Sequence, residues 1–298
     1  MLGLGGLALI VVISFLIRLP ASRWSMPAER PGQAPTIVEM DESTFYRHFR
    51  GYPSYKPTYV DQTTMHALLL YQVARPLARW AGYPEQLISS SYFIHRVGRL
   101  SSMLAGVAML LLLYLGGREL GLRSAFERLL VCALFAFSPL VSVYSHLFLA
   151  DALNCFLIWL AYWAFCRHNR TLDARHAVLF AAAAGFASAT KLSMTYCALP
   201  GLVLLLATPR PVSTGLTMLL VATGAFWIGN GLNYSIEQIQ RAIEMIKYVQ
   251  KGGVTPVDFS VLYNLRNLLV YFVAGLGLPA FALAAVAVPR ALALAEVD

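Results

Sequence analysis

Eight apolar segments separated by polar connections constrain the fold of this chain more than any other feature. They lie at about 2–19, 100–117, 129–146, 152–166, 177–190, 193–207, 214–232 and 267–289. A helix needs roughly 20 apolar residues to cross the hydrocarbon of a bilayer, and only the fourth to sixth segments are clearly short of that length. The first segment lacks a basic leader and a small-residue cleavage site, so we interpret it as an uncleaved anchor rather than a signal peptide.

Composition supports the same interpretation. Hydrophobic residues make up 58% of the 298 residues and charged residues only 13%, which is too few charges to cover a water-soluble globule. The formal charge of +8 is dispersed, with no run of Lys or Arg, which argues against nucleic-acid binding. We therefore predict an all-α polytopic membrane protein with about eight transmembrane helices, in the cytoplasmic (inner) membrane or the endoplasmic reticulum membrane.

The arginines of the short connections predict the orientation. If Met1 is cytoplasmic, the two short outer connections contain a single basic residue, Lys191, whereas the inner connections contain many arginines. These are Arg118, Arg123, Arg128, Arg167, Arg170, Arg175, Arg210 and Arg290. This topology makes residues 1–298 a single transmembrane module, with a first outer loop at 20–98 and a last outer loop at 233–266. Amphipathic patterns at 62–80 and 236–249 predict an interfacial helix in each of these loops.

Several landmarks follow one another at characteristic spacing. They are Arg99-Leu100-Ser101, Leu115-Gly116-Gly117-Arg118, Phe137-Ser138-Pro139-Leu140, Tyr144-Ser145, Asp151-Ala152-Leu153 and Ala189-Thr190-Lys191. In this order, they resemble the GT-C glycosyltransferases that use polyprenyl-phosphate sugars, in particular the protein O-mannosyltransferase and lipid A aminoarabinose transferase branch. The resemblance covers the chain from the first span to about residue 289. Many such relatives continue with further spans and a soluble outer domain. Three interpretations of this chain therefore stay open: a compact member of the family, a piece that lacks a C-terminal region, or one subunit of a larger enzyme.

The resemblance implies roles for particular residues. The catalytic acid of the family lies in the first outer loop within an Asp-Glu pair, which corresponds to Asp41-Glu42, and a second acid corresponds to Asp151. The Thr-Lys pair at an outer turn corresponds to Thr190-Lys191. An aromatic stretch with prolines matches Tyr52 to Pro57, which includes Tyr55 and Lys56 but lacks the His-Pro-Pro form of some relatives.

Inverting sugar transfer needs these residue types. A carboxylate must take the proton of the acceptor as its oxygen attacks the anomeric carbon, and Asp41 is our candidate base. Cations stabilise the departing lipid phosphate. Lys191 is the first candidate, followed by Arg241, Lys247 and Arg266, with Tyr55 and Lys56 as further binding residues. Two acids from different loops do not define a metal site, so we assign no cofactor and leave a divalent metal open. The sugar and the acceptor, whether protein, lipid or polysaccharide, cannot be read from the sequence.

Simpler interpretations stay open beside these. Asp151 is also a good N-cap for the fourth span, and Lys191 could only extend its ammonium group to the membrane surface. A polytopic transporter or a non-catalytic membrane assembly subunit would likewise account for the spans. A transporter should place ionisable groups near the bilayer midplane and often shows an internal repeat, and neither feature is evident in the sequence.

Overall fold

The computed structural model describes residues 2–21, 70–119, 121–138, 141–142, 145, 150–190, 194–230, 240 and 244. Every secondary-structure element in these ranges is helical, as predicted. The elements are α1 (Leu2–Ala21), a π-helical turn (Leu70–Ala74), α2 (Arg75–Trp80), α3 (Glu85–Ile88), α4 (Ser91–Gly117), α5 (Ala125–Ala136), α6 (Ala150–Thr171), α7 (Ala174–Thr190), α8 (Met194–Ala207) and α9 (Pro211–Gly229).

Seven of the predicted spans overlap with described helices, and the eighth, at 267–289, lies outside the described residues. By length and composition, helices α1, α4 and α9 each contain a stretch that is long and apolar enough to cross a membrane. The boundaries of α4 and α6 extend beyond the predicted spans. Helix α4 begins at Ser91 rather than at residue 100, and α6 continues to Thr171 rather than ending at 166. Both extensions contain charged residues, which hydropathy alone excludes from a span.

The predicted third span, 129–146, was wrong at both ends. Helix α5 runs Ala125–Ala136, so it starts earlier and stops ten residues sooner. Its start is fixed by a capping box, in which Ser124 Oγ accepts from Glu127 N at 3.1 Å and Glu127 Oε2 accepts from Ser124 N at 3.0 Å. Its end follows from Pro139, because a proline disfavours helical backbone at the residue before it.

Two of the hydrophobic clusters among the described residues join most of the long helices. Helices α1, α4 and α5 meet around Leu7, Leu110 and Cys132. Helices α6, α7, α8 and α9 form the second core, which includes Phe180 and Cys197. Helix α6 packs against both α4 and α7, so it joins the two groups. The helix that carries Asp151 is therefore held from both sides.

The contact between α7 and α9 depends on Gly185. A Cβ atom at this position would overlap the carbonyl oxygen of Ala222 and lie 2.9 Å from Ala225 Cβ. We expect Gly185→Ala to lower the free energy of unfolding by about 1–3 kcal/mol, the usual cost of overpacking a core, because a backbone carbonyl cannot rotate away. The measurement is the temperature at which the buried thiol of Cys197 becomes reactive to maleimide, in a variant that retains only this cysteine.

Gly224→Ala is the matched control, since it makes the same change within α9. A Cβ atom at Gly224 meets nothing within 4 Å, and alanine favours a helix over glycine by about 1 kcal/mol. The Gly224 variant should therefore expose Cys197 at the same temperature or a higher one. Equal midpoints for the two variants would show that the close approach at Gly185 does not limit stability.

Candidate functional site

The buried polar side chains collect at one end of the bundle. Residues at the same end of different helices contact each other. For example, Arg18 near the end of α1 donates a hydrogen bond to the carbonyl oxygen of Ala136 at the end of α5. With Met1 inside, this is the outer end. Except for His168, the buried polar residues of the described ranges lie in the outer parts of helices or in the segments next to outer helix ends. They are Ser14, Arg18, His95, Arg99, Ser102, Ser138, Ser145, Asn154, Ser188, Thr190 and Asn230. Buried polar groups are expensive in an apolar bundle, so their concentration here marks the candidate site.

Arg18 connects three parts of this end. Its Nε donates to Ser145 Oγ at 2.6 Å, and one Nη donates to the carbonyl oxygen of Ala136 at 2.7 Å. The other Nη donates to the carbonyl oxygen of Ser14 at 2.9 Å and also contacts Ser14 Oγ. The side chain is almost fully buried. A single guanidinium thereby attaches α1 to the end of α5 and to Ser145, which precedes α6 in the chain.

Asp151 lies in the first turn of α6 and is half-buried. Because α6 begins at Ala150, Asp151 is inside the helix and is not its N-cap. A carboxylate in a first turn is favoured by the positive end of the helix dipole. The neighbouring Ala150 packs with Ile94 of α4 and with Leu70, which brings the start of α6 beside the turn of α4 that carries His95.

Asp151 is the one predicted site residue within the described ranges. The other predicted site residues, Asp41, Glu42, Tyr55, Lys56, Lys191, Arg241, Lys247 and Arg266, lie outside them. Their roles stay predictions. The structure does describe Thr190, the residue before Lys191, and its Oγ1 donates to the carbonyl oxygen of Phe186 at 2.8 Å. Thr190 is therefore part of the helix end and is buried.

The segment before α4 contains a cluster of ion pairs and an exposed apolar surface. Glu85 accepts from Arg79 Nε at 2.8 Å and from Arg75 Nε at 3.0 Å. The hydrogen bond from Arg79 has the largest effect on the pKa of Glu85, and that from Arg75 has the next largest. Together they lower this pKa to about 2, so the carboxylate is charged at neutral pH. On the same segment Trp80 is 88% exposed and Leu77 is also exposed. Exposed apolar side chains beside arginines are typical of a helix at a membrane surface. The interfacial helix expected at 62–80 stays a prediction, since residues 62–69 lie outside the described residues.

Comparison with known proteins gives two findings. Residues 86–229, just under half of the chain, match the family model of dolichyl-phosphate-mannose-protein mannosyltransferases. Among solved structures, the chain is similar to the S. cerevisiae protein O-mannosyltransferase Pmt1-Pmt2 complex bound to the sugar donor, with a TM-score of 0.59 and 17% identity over 78% of this chain. This chain has the GT-C glycosyltransferase fold.

The GT-C match covers 34% of the yeast chain, so this chain spans about a third of that relative. Comparison with curated protein sequences gives no match. All six landmarks of the predicted GT-C resemblance fall within residues 86–229, and that resemblance is confirmed. Asp41-Glu42 lies before the matched range.

The GT-C landmarks coincide with close contacts of the structure. A Cβ atom at Gly117 would lie 2.9 Å from Arg128 Cγ and 3.2 Å from Leu122 Cδ1, so the glycine allows the chain to turn tightly into α5. Arg99, Ser138 and Ser145 are buried. The landmark residues therefore contribute to packing near the helix ends, in addition to any role in the chemistry of the GT-C fold.

Sequence reasoning missed several polar residues of the outer end. Arg18 was counted within an anchor span, and His95 and Asn154 received no role. The available signal was an ionisable residue inside or next to an apolar segment, which in a membrane protein is a functional-site hypothesis by default. For Arg18 and His95, this signal predicts a functional site at the outer ends of α1 and α4.

Proposed function

We propose that this protein transfers a mannosyl group from a polyprenyl-phosphate donor to a hydroxyl group of a protein acceptor. The reaction takes place at the outer or luminal face of the inner membrane or the endoplasmic reticulum membrane and inverts the anomeric centre. The family match over residues 86–229 carries the proposal, because this range contains the starts of α4 and α6, Asp151 and the predicted Thr190-Lys191 turn. In this scheme Asp41 is the base, and Glu42 supports it.

The buried polar end of the bundle supports this proposal. Sugar transfer from a lipid donor requires polar groups at the depth of the lipid headgroup, next to an apolar space for the isoprenoid chain. The outer ends of α1, α4, α6 and α7 provide the polar groups. Asp151, in the first turn of α6, has the position of the second acid in the proposed site.

An apolar groove between α7, α8 and α9 provides space for the lipid. Its volume is about 470 Å³, and it extends from Ser188 near the outer end to Gly215 near the inner end. Ser188 is three residues before Lys191 in the chain. In our proposal Lys191 binds the donor phosphate, and the isoprenoid chain lies along this groove, with Arg241, Lys247 and Arg266 as further phosphate contacts and Tyr55 and Lys56 on the sugar side.

Mass spectrometry of the lipid that copurifies with the protein tests this proposal. We expect a polyprenyl phosphate or its mannosylated form at near-equal molar ratio, and we expect Lys191→Gln to retain several-fold less of it, because the phosphate loses a charged donor. Arg210→Gln, which removes one positive charge at an exposed inner turn, is the matched control and should leave the amount unchanged. Repeated preparations that contain only bulk phospholipid would contradict the proposal.

A further inference from the structure

A second apolar space lies near the opposite, inner end of the bundle. This inner cavity has a volume of about 330 Å³ and is bounded by α4, α5, α6 and the turn after α4. Its walls include Gly116, Val131, Trp159 and Trp163, and Glu119 is the charged residue among those that line it. Trp159 is 38% exposed, so this wall of the cavity lies partly on the surface of α6 that faces hydrocarbon in the proposed topology.

Arginines lie next to Glu119 at the inner end of this cavity, which we call its mouth. Arg167 Nη1 and Arg170 Nη1 donate to the two carboxylate oxygens of Glu119 at 3.0 and 2.9 Å. The Glu119 side chain is only 6% exposed, and it balances one of the two positive charges. Arg118 next to it is exposed and has no ion pair with any residue of the described ranges. The mouth therefore carries a net positive charge.

One buried donor close to this mouth has no acceptor within the part of the chain that the structure describes. Arg167 Nε is buried and has no hydrogen-bond partner among the described residues. Buried polar groups in folded proteins nearly always have partners, so an unpartnered donor suggests an acceptor that belongs to a bound molecule or ordered water. Because Glu119 lines the cavity and binds Arg167, this donor lies close to the same mouth.

We propose that the inner cavity is a binding site for an anionic glycerophospholipid of the cytoplasmic leaflet. An acyl chain occupies the apolar space beside Trp159 and Trp163, and the lipid phosphate lies among Arg118, Arg167 and Arg170. Basic pockets between transmembrane helices on the cytoplasmic side are suited to such headgroups, and guanidinium groups bind phosphate through paired hydrogen bonds. The site is independent of the proposed transfer reaction, which takes place at the other end of the bundle.

Quenching of tryptophan fluorescence by brominated lipid tests this site. The full chain, with Trp24, Trp80 and Trp227 replaced by phenylalanine so that Trp159 and Trp163 report, is reconstituted into phosphatidylcholine nanodiscs. Brominated phosphatidylglycerol should quench at a mole fraction about fivefold lower than brominated phosphatidylcholine does, which corresponds to about 1 kcal/mol in total, the typical contribution of one basic residue near an anionic membrane surface. Equal quenching curves for the two lipids would overturn the proposal, since they would show ordinary solvation by bulk lipid.

Two variants separate the headgroup from the acyl chain. Arg170→Gln should bring the two quenching curves together, whereas Arg210→Gln, which removes the same charge from another inner turn, should not. Gly116→Leu should reduce quenching by both lipids, because a Cβ atom at Gly116 meets only Trp163 Cδ1, at 3.4 Å, and a larger side chain would extend into the cavity. If polyprenyl phosphate displaces the brominated phosphatidylglycerol, the cavity belongs to the donor and the proposal is wrong.

Discussion

Replacing Arg18 with methionine is expected to lower the free energy of unfolding by about 3 kcal/mol. The variant leaves the carbonyl oxygen of Ala136 and the hydroxyl of Ser145 without their buried donor. Ala136 ends α5, and a helix end has few other donors for its last carbonyl groups. The loss of these hydrogen bonds is partly offset, because burial of methionine does not require the desolvation of a charged group. Even so, α1 should separate from α5 before the rest of the bundle unfolds.

The buried thiol of Cys132 reports on this separation directly. Cys132 lies in α5, within the core that α1 and α4 share with it, and its Sγ lies 3.4 Å from the carbonyl oxygen of Leu110. In a variant that retains only Cys132, Arg18→Met should expose this thiol at a temperature several degrees lower. The same substitution in a variant that retains only Cys197 should have a smaller effect, since Cys197 belongs to the core of α6 to α9.

Arg18→Lys is the conservative control. Lysine keeps the positive charge, but its single ammonium group cannot donate in the divergent directions that Ala136 and Ser145 require. We expect Arg18→Lys to recover only part of the lost stability. If the lysine variant unfolds as the unmodified protein does, the charge alone matters and the divergent hydrogen bonds do not.

The spans were predictable where hydropathy and helix signals agree. Helices α7, α8 and α9 lie within three residues of their predicted bounds, because their connections are short and polar. The prediction failed at α4 and α5, where the helices start among charged residues. Ser90 caps α4 through a hydrogen bond from Phe93 N at 3.2 Å, and Ser124 caps α5. These caps are readable in the sequence, so capping signals deserve more weight than hydropathy at the ends of spans.

The candidate site was less predictable, since it depends on which helix ends meet. The sequence placed Asp151 at an outer helix end, and the structure confirms that α6 begins beside it. The contact of Arg18 with Ser145 joins residues 127 positions apart, and no local pattern encodes such a pair. It arises because α1 and α5 end at the same side of the bundle, which is a property of the packing. Arginine inside a span was the remaining clue.

The outer and inner ends of the bundle differ in a way that fits one orientation. The outer end buries hydroxyl, imidazole and guanidinium groups, while the inner turns expose arginines such as Arg118, Arg170 and Arg210. Exposed arginines on short connections are the usual signal for the cytoplasmic side. The proposed transfer and the proposed phospholipid site therefore use opposite ends and should be lost through different substitutions.

Replacing Asp41 with asparagine is expected to reduce the proposed mannosyl transfer by about 100-fold or more, the contribution that a positioned general base typically makes. Asparagine has nearly the same shape as aspartate, but its amide cannot accept the proton of the attacking hydroxyl. The loss should therefore appear in kcat, while the amount of copurified polyprenyl phosphate stays the same. The assay follows transfer of labelled mannose from dolichyl phosphate mannose to peptides rich in Ser and Thr, with the purified protein.

The neighbouring acid is the matched control for this prediction. Glu42→Gln removes one negative charge from the same loop, and we expect it to reduce transfer much less, because Glu42 only supports Asp41 in our scheme. Asp151→Asn should give an intermediate loss, since the second acid lies at a helix start and does not take the proton. If Asp41→Asn retains full transfer with normal expression, the base is another residue. If transfer is absent from all the proteins, including the unmodified one, while solute uptake depends on Asp41, the chain is a transporter with a GT-C fold.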